Sequence, residues 1–410
     1  MKKLMMMLCT LAAMTACSSD DSGDDSSGDR QAVMTEGRTV LVYMAAENSL
    51  SPQVPHSLQQ LKTGSRLIGS GNTLLVYVDR SEPQELPWMA RISDGQVVDS
   101  VSIADMGISQ KNEYASDPQV MEQVMRYAFG HYPARGDYGL VLWGHSTGWL
   151  MAADTLAVTR AYGVDNGLND RSSGGKWMNL PTLARVLGRL PHLKFILADC
   201  CNFMCLESLY ELRLVADYVI GSPAEIPSVG APYQTVVPAM FSAADDFYRG
   251  VADTYYAQLV SGYTVPLSVV KTSEMTGVAQ ATRNVLRAMN MSFGGQYADM
   301  TGLIHYYNEG SVFSPDNNIF YDAGDFVKKY ATAADYQMWH QALERAVIYK
   351  KFAARWNTDR HWTGFYADFT ATEEREHGVS LFVPQDPSRG NYTFYNSNVK
   401  KLTWYAAVLQ

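Results

Sequence analysis

The chain of 410 residues predicts an α/β fold built on a mostly parallel sheet, and two patterns predict it. Short apolar runs rich in β-formers recur at "TVLVYMAA" (39–46), "NTLLVYVDR" (72–80), "DYGLVLWGH" (137–145), "LKFILADCC" (193–201) and "ADYVIGSPA" (216–224). Their apolar character is continuous rather than alternating, as in strands covered on both faces. The segments between them, such as "SDPQVMEQVMRYAFGHY" and "LPTLARVLGRL", carry apolar residues at helical spacing. Helices alternating with buried strands give a parallel sheet sandwiched between helical layers, and such sheets hold their ligands beyond the carboxyl ends of the strands.

Taken along the chain, residues 1–17, "MKKLMMMLCTLAAMTAC", form the first element. Two early lysines, an apolar stretch too short to span a membrane, and small residues before Cys17 describe an export signal. "MTAC" resembles the bacterial lipobox, which implies acylation of Cys17. Several acyl chains would anchor the protein stably, since each buried CH₂ contributes about 0.8 kcal/mol and one chain alone is marginal. Residues 18–37 begin "SSDDSGDDSSGD", poor in apolar residues and rich in like charge, and are expected to be a disordered tether. Such acidic runs after a lipid cysteine resemble the surface-export signals of Bacteroidetes lipoproteins, which implies the outer membrane and its outer face.

Residues 38–261 hold all five apolar runs and are expected to be the core domain. Residues 262–410 add helical patterns, a late strand "GVSLFVP" (378–384) and an aromatic tail, expected to form an α+β subdomain that packs on the core. With 47% hydrophobic and 18% charged residues the chain can bury a large core without disulfide staples. The net charge of −9 and the lack of any dense Lys/Arg run argue against a nucleic-acid partner.

Chemistry concentrates at "DCCNFMC" (199–205), which places Cys200, Cys201 and Cys205 within six positions, whereas the other cysteines, Cys9 and Cys17, lie in the export signal. A zinc site would ask for two spaced ligand pairs, and no second cysteine group or nearby histidine pair exists, so no metal and no cofactor is expected. A disulfide between adjacent cysteines is strained, and one between Cys201 and Cys205 closes too short a loop to stabilise much. The remaining reading is a nucleophile: a thiol at one strand end and His145 at another. Strand alternation puts Asp199 and Cys201 on one face and Cys200 on the other.

Two motifs then carry a resemblance. "LVLWGHSTGW" (140–149) and "DCCNFMCLESLYELR" (199–213) resemble the histidine and cysteine motifs of the clostripain family of cysteine peptidases, which have a caspase-like fold. "VYMAAEN" (42–48), "MNLPTLARVL" (178–187), "GSPAEIPSVGAPY" (221–233), "YDAGDF" (321–326) and "GVSLFVP" extend it. The resemblance implies a caspase-like α/β/α sandwich and a protease acting on proteins or peptides. His145 would be the acid/base and Cys201 the nucleophile, with Cys200 at a position where the family has alanine. The oxyanion would be held by the N–H groups of Cys201 and Ser146. Ser146 stands where glycine is common, so a positive φ there would cost it more. An imidazolium beside Cys201 would lower its pKa.

The family's acidic residue two positions before the nucleophile lies in the pocket for the residue preceding the scissile bond, which implies that Asp199 binds Arg or Lys side chains. A second pocket acid found in some members, on the loop after the next strand, has no clear match here, since "EIPSVGAPY" offers only Glu225, and Asp199 could instead accept backbone N–H groups beneath the site. Related enzymes are often nicked by themselves between the two motifs, where this chain offers Arg160, Arg171 and Lys176 in a partly Gly-rich segment. Trp143 and Trp149 read as pocket walls or core. His56, His131, His192, His305, His340, His361 and His377 show no common spacing and read as surface or packing residues. Two further functions stay open: a binding lipoprotein that keeps this fold without activity, and a thiol hydrolase or transpeptidase acting on something other than protein.

Overall fold

The computed structural model describes residues 33–82, 85–108, 114–151, 162–166, 176–257, 264–290, 297–307, 318–356, 358 and 369–410. The five apolar runs form five strands: β1 (Thr39–Ala46), β2 (Thr73–Arg80), β5 (Tyr138–Gly144), β8 (Leu193–Asp199) and β9 (Ala216–Gly221). They lie side by side, all parallel, in the order β2-β1-β5-β8-β9. Antiparallel strands finish both edges. β3 (Trp88–Ser93) and β4 (Gln96–Ser102) follow β2, while β10 (Leu267–Lys271) and β12 (Val347–Lys351) follow β9, giving nine strands. The fold is a mixed α/β sandwich around a mostly parallel sheet.

Why the parallel strands are continuously apolar is visible in β1, whose eight residues are all buried. Leu41, Tyr43 and Ala45 face one apolar layer, and Val40, Val42, Met44 and Ala46 face the other. Helices Pro118–His131, Leu180–Leu187, Met275–Ala288 and Ala333–Ala346 cover the first face with large apolar side chains. Helices Val54–Ser65, Tyr233–Met240 and Phe247–Ala257 cover the second. Local signals set some helix starts: Asp117 caps Pro118–His131 by accepting the N–H groups of Gln119 and Val120.

Residues from 264 onward join this sheet and its larger core, and Val33–Gln410 forms one compact unit. The late run 378–384 differs from the expected strand. Only β13 (Ser380–Leu381) is extended pairing, and its partner is β11 (Tyr321–Asp322) in a separate small sheet. The aromatic tail is structural. Trp404 is fully buried, and Glu211 accepts the N–H groups of Thr403 and Trp404 at the start of the last helix, Thr403–Val408. A further two-stranded sheet, β6 (Tyr162–Asp165) with β7 (Lys176–Met178), leans on the strand ends beside β1 and β5.

Candidate active site

β5 stops at Gly144 and β8 at Asp199, so His145 and Cys201 emerge from neighbouring carboxyl ends. The pairing of Trp143 with Asp199 leaves the two residues level when the register is continued. Both are half-buried. Cys200 points into the first apolar layer, while Cys201 packs against the second. That parity follows from strand alternation. Cys200 and Cys205 are fully buried free thiols.

Backbone geometry brings the two loops together. Beyond Cys201 the chain turns at Asn202, whose φ of +54° is left-handed, a conformation asparagine tolerates better than most residues. Its N–H donates to the Ala224 carbonyl at 2.9 Å. Gly148 packs on this turn with φ +60°, and a Cβ there would lie 2.4 Å from the Asn202 carbonyl oxygen. No other residue fits, so the glycine of "HSTGW" is what lets the histidine loop close on the cysteine loop. Among the described residues the non-glycine positions of positive φ are Asp94, Asn202 and Asn290, not Ser146, so serine bears none of the conformational cost the sequence raised. Its Oγ accepts the Gly148 N–H at 3.1 Å. The adjoining bridge to β6 uses the Gly163 N–H and the His145 carbonyl at 2.8 Å, not the Ser146 N–H.

The thiol departs from the expected low pKa. Burial first, and the charge of Glu225 second, push the Cys201 thiol well above its ordinary value, with a smaller push from Asp199. The Ile226 N–H donates to Sγ at 3.5 Å and opposes the shift, and Sγ lies 4.0 Å from the Ile226 carbonyl. In this conformation the sulfur is seated on the loop after β9. His145 meanwhile places Nε2 2.9 Å from Ser49 Oγ, and its ring is 6.5 Å from that of Trp177 on β7.

Asp199 sits beneath the site, 2% exposed. The Ala231 N–H reaches both carboxylate oxygens at 3.0 Å, and the hydroxyls of Tyr233 and Tyr255 donate at 2.5 and 2.7 Å. Burial raises its pKa, and these donors counter the rise. Of the two roles left open for Asp199, this surrounding describes an internal acceptor; a substrate cation would have to displace one of its donors. Lys176 opens β7 and holds Nζ 3.6 Å from the Tyr114 ring centroid. Arg160, Arg171 and Cys17 lie outside the described residues. Trp149 packs its ring 4.6 Å from that of Phe382, and Trp143 is buried in the second layer, so both are core.

Among the described residues one group of acids could hold a metal ion: Glu47, Asp79 and Asp165, all buried, with one ligand oxygen each within 4.8 Å of the others. The Ala115 N–H donates to both Asp79 and Asp165, and burial followed by the charge of Asp165 raises the Asp79 carboxyl well above its usual range. A shared proton is one way for such a cluster to shed charge. A cavity of about 360 Å³, lined by Glu36, Arg38, Asp137 and Lys194 among others, opens by the start of β1, at the other end of the sheet from His145 and Cys201.

The sequence model of the clostripain family, Peptidase_C11, matches residues 42–410. The chain belongs to the clostripain family. Clostripain-family relatives of known structure share the architecture. A secreted C11 cysteine protease from Bacteroides thetaiotaomicron, solved with an irreversible peptide inhibitor, is 29% identical, with a TM-score of 0.71 over 91% of this chain and 98% of that one. An inactive zymogen C11 protease from Parabacteroides distasonis is also 29% identical, with a TM-score of 0.74 over 92% and 99%. A second secreted C11 protease of B. thetaiotaomicron, at 19% identity and a TM-score of 0.68 over 92% and 99%, shares the fold. No curated protein matches. As a clostripain-family chain with a caspase-like fold, it is a cysteine-type endopeptidase. Among its described residues no helix is long and apolar enough to cross a membrane.

Proposed function

We propose that this cysteine protease is exported, anchored through Cys17 at the outer face of the outer membrane, and cleaves proteins or peptides after Arg or Lys with a Cys201–His145 dyad. The observation that carries the dyad is the emergence of both residues, level with each other, from adjacent parallel strands. His145 takes the thiol proton as Sγ attacks the scissile carbonyl carbon, and the imidazolium then protonates the leaving amine. The acyl-enzyme thioester is opened by water, with His145 again as base. The N–H groups of Cys201 and Ser146 are proposed to hold the oxyanion. Preference for a basic side chain is supported by Glu225, whose charge acts on the thiol, together with Asp199 beneath it. Because the oxygens of Asp199 are already engaged, its contribution is assigned to the field in the pocket rather than to a direct bond.

A thiol whose pKa is pushed up by burial and by the Glu225 charge suits an uncut, latent chain, and a zymogen is known for the Parabacteroides relative. We assign activation to self-cleavage between the two motifs, at Arg160 or Arg171. Lys176 is the poorer site, because its backbone is paired in β7 and a protease needs an extended, free segment. The test is labelling with peptide acyloxymethyl ketones ending in Lys or Arg. Labelling that disappears in Cys201→Ala and in His145→Ala supports the dyad; labelling confined to probes ending in acidic or apolar residues overturns the specificity, and none with any probe in the chain cut between the two motifs overturns the dyad.

A further inference from the structure

The turn after β1 is built more firmly than a surface turn requires. Asn48, 7% exposed, donates from Nδ2 to the carbonyls of Ala45 at 2.9 Å and Val164 at 2.6 Å. Its Oδ1 accepts the Leu50 N–H at 2.8 Å, its own N–H donates to the Ala46 carbonyl at 2.7 Å, and the Ser51 N–H returns to the Asn48 carbonyl at 3.1 Å. The Glu47 carbonyl accepts from Asn166 at 3.0 Å. Between these fixed points Ser49 is exposed, yet its Oγ stands 2.9 Å from His145 Nε2. β1, β5 and β8 are neighbours, so Ser49, His145 and Cys201 follow three adjacent strand ends in that order.

We propose that Ser49 is a positioning residue for His145, accepting the Nε2–H so that Nδ1 is the ring nitrogen that exchanges a proton with the Cys201 thiol. This rests on the dyad reading above. A hydroxyl is suited to the task because it accepts from Nε2–H in both the neutral ring and the imidazolium, turning its own proton elsewhere. The bond selects the tautomer with a basic Nδ1 and strengthens when the ring becomes charged, which is when the thiol has given up its proton. Orientation of an imidazole through its second nitrogen is the general way a third group serves a nucleophile and its base. Exposure of Ser49 lets water take over part of this role, so its loss is graded rather than complete.

The experiment compares Ser49→Ala and Ser49→Thr with wild type, Cys201→Ala and His145→Ala, using Arg-terminated fluorogenic peptides and a proton NMR titration of the His145 ring. Ser49→Ala should lower kcat by about 3- to 10-fold with KM little changed. It should also move the His145 titration to lower pH, because the charged ring loses its acceptor, and Ser49→Thr should restore both. An unchanged titration in Ser49→Ala overturns the assignment, whether or not the peptides are turned over. A fall in kcat that Thr does not restore, without a titration shift, means a packing effect and also overturns it. Wild-type activity in His145→Ala would instead sink the dyad reading itself.

Discussion

Tyr255 and Asp199 meet under the active site, the phenol donating to the carboxylate at 2.7 Å from a helix of the second layer. Tyr233 and the Ala231 N–H complete the ring of donors, so the acid that precedes the nucleophile ties two helices and a loop to the end of β8. Asp199→Asn turns one acceptor into an NH₂ facing donors. We expect it to lose about 1–3 kcal/mol in urea unfolding, and Tyr255→Phe about 1 kcal/mol. Full stability in Asp199→Asn, with Arg selectivity lost, would return Asp199 to direct contact with substrate.

Glu225 gives the complementary prediction. Its charge helps to hold the proton on Cys201, so Glu225→Gln should lower the thiol pKa and speed iodoacetamide alkylation of Cys201 at pH 8 by about 2- to 5-fold. Mass spectrometry should find Cys201 modified first, because Cys200 and Cys205 are fully buried. The same variant should lose about 5- to 10-fold in preference for Arg over a neutral residue. Faster alkylation with intact preference would separate the two roles.

Glu207, on the helix Leu206–Glu211 behind the nucleophile, is fully buried and accepts the Phe382 N–H at 2.7 Å. Burial raises its carboxyl from 4.5 to about 8. The folded chain therefore keeps a proton that the unfolded chain has lost across that window, and stability falls as pH rises from the first value toward the second. Glu207→Gln keeps an acceptor for Phe382 and has no proton to lose. It should exceed wild type at pH 8 by about 1–3 kcal/mol and match it near pH 4, as read from denaturant midpoints. Parallel wild-type and variant curves would show that Glu207 does not titrate there.

Self-cleavage predicts two fragments on denaturing gels that elute together in native gel filtration, with Cys201→Ala remaining one chain. Cleavage mapped to Lys176 rather than to Arg160 or Arg171 would mean that β7 opens in the uncut enzyme.

The five parallel strands were legible because burial on both faces writes an unbroken apolar run into the sequence. The edge strands were not. Gln96–Ser102 is largely exposed, and Ser380–Leu381 is too brief to differ from a loop whose residues are buried by tertiary packing. That His145 and Cys201 follow neighbouring strand ends could be read because each closes a local apolar run. Ser49 could not, since a serine in a turn carries no signal toward a histidine 96 positions later; only the adjacency of β1 and β5 joins them. Tyr233 and Tyr255 carry no sequence signal toward Asp199, because their hydroxyls acquire that partner only when the second layer closes over it. The upward push on the thiol comes from the fold's burial and from Glu225 on the loop after β9, neither of which the cysteine motif contains.

The pairing of β5 with β8 has a consequence for an enzyme severed between Met151 and Lys176. Gly139 to Trp143 lie against Phe195 to Asp199 in the middle of the sheet, with one strand from each side of the cut. Parting the pieces would mean tearing the sheet along its centre and exposing both apolar layers to water. The severed enzyme should thus behave on dilution as a monomer does, with specific activity independent of concentration, even though no covalent bond joins its histidine to its cysteine.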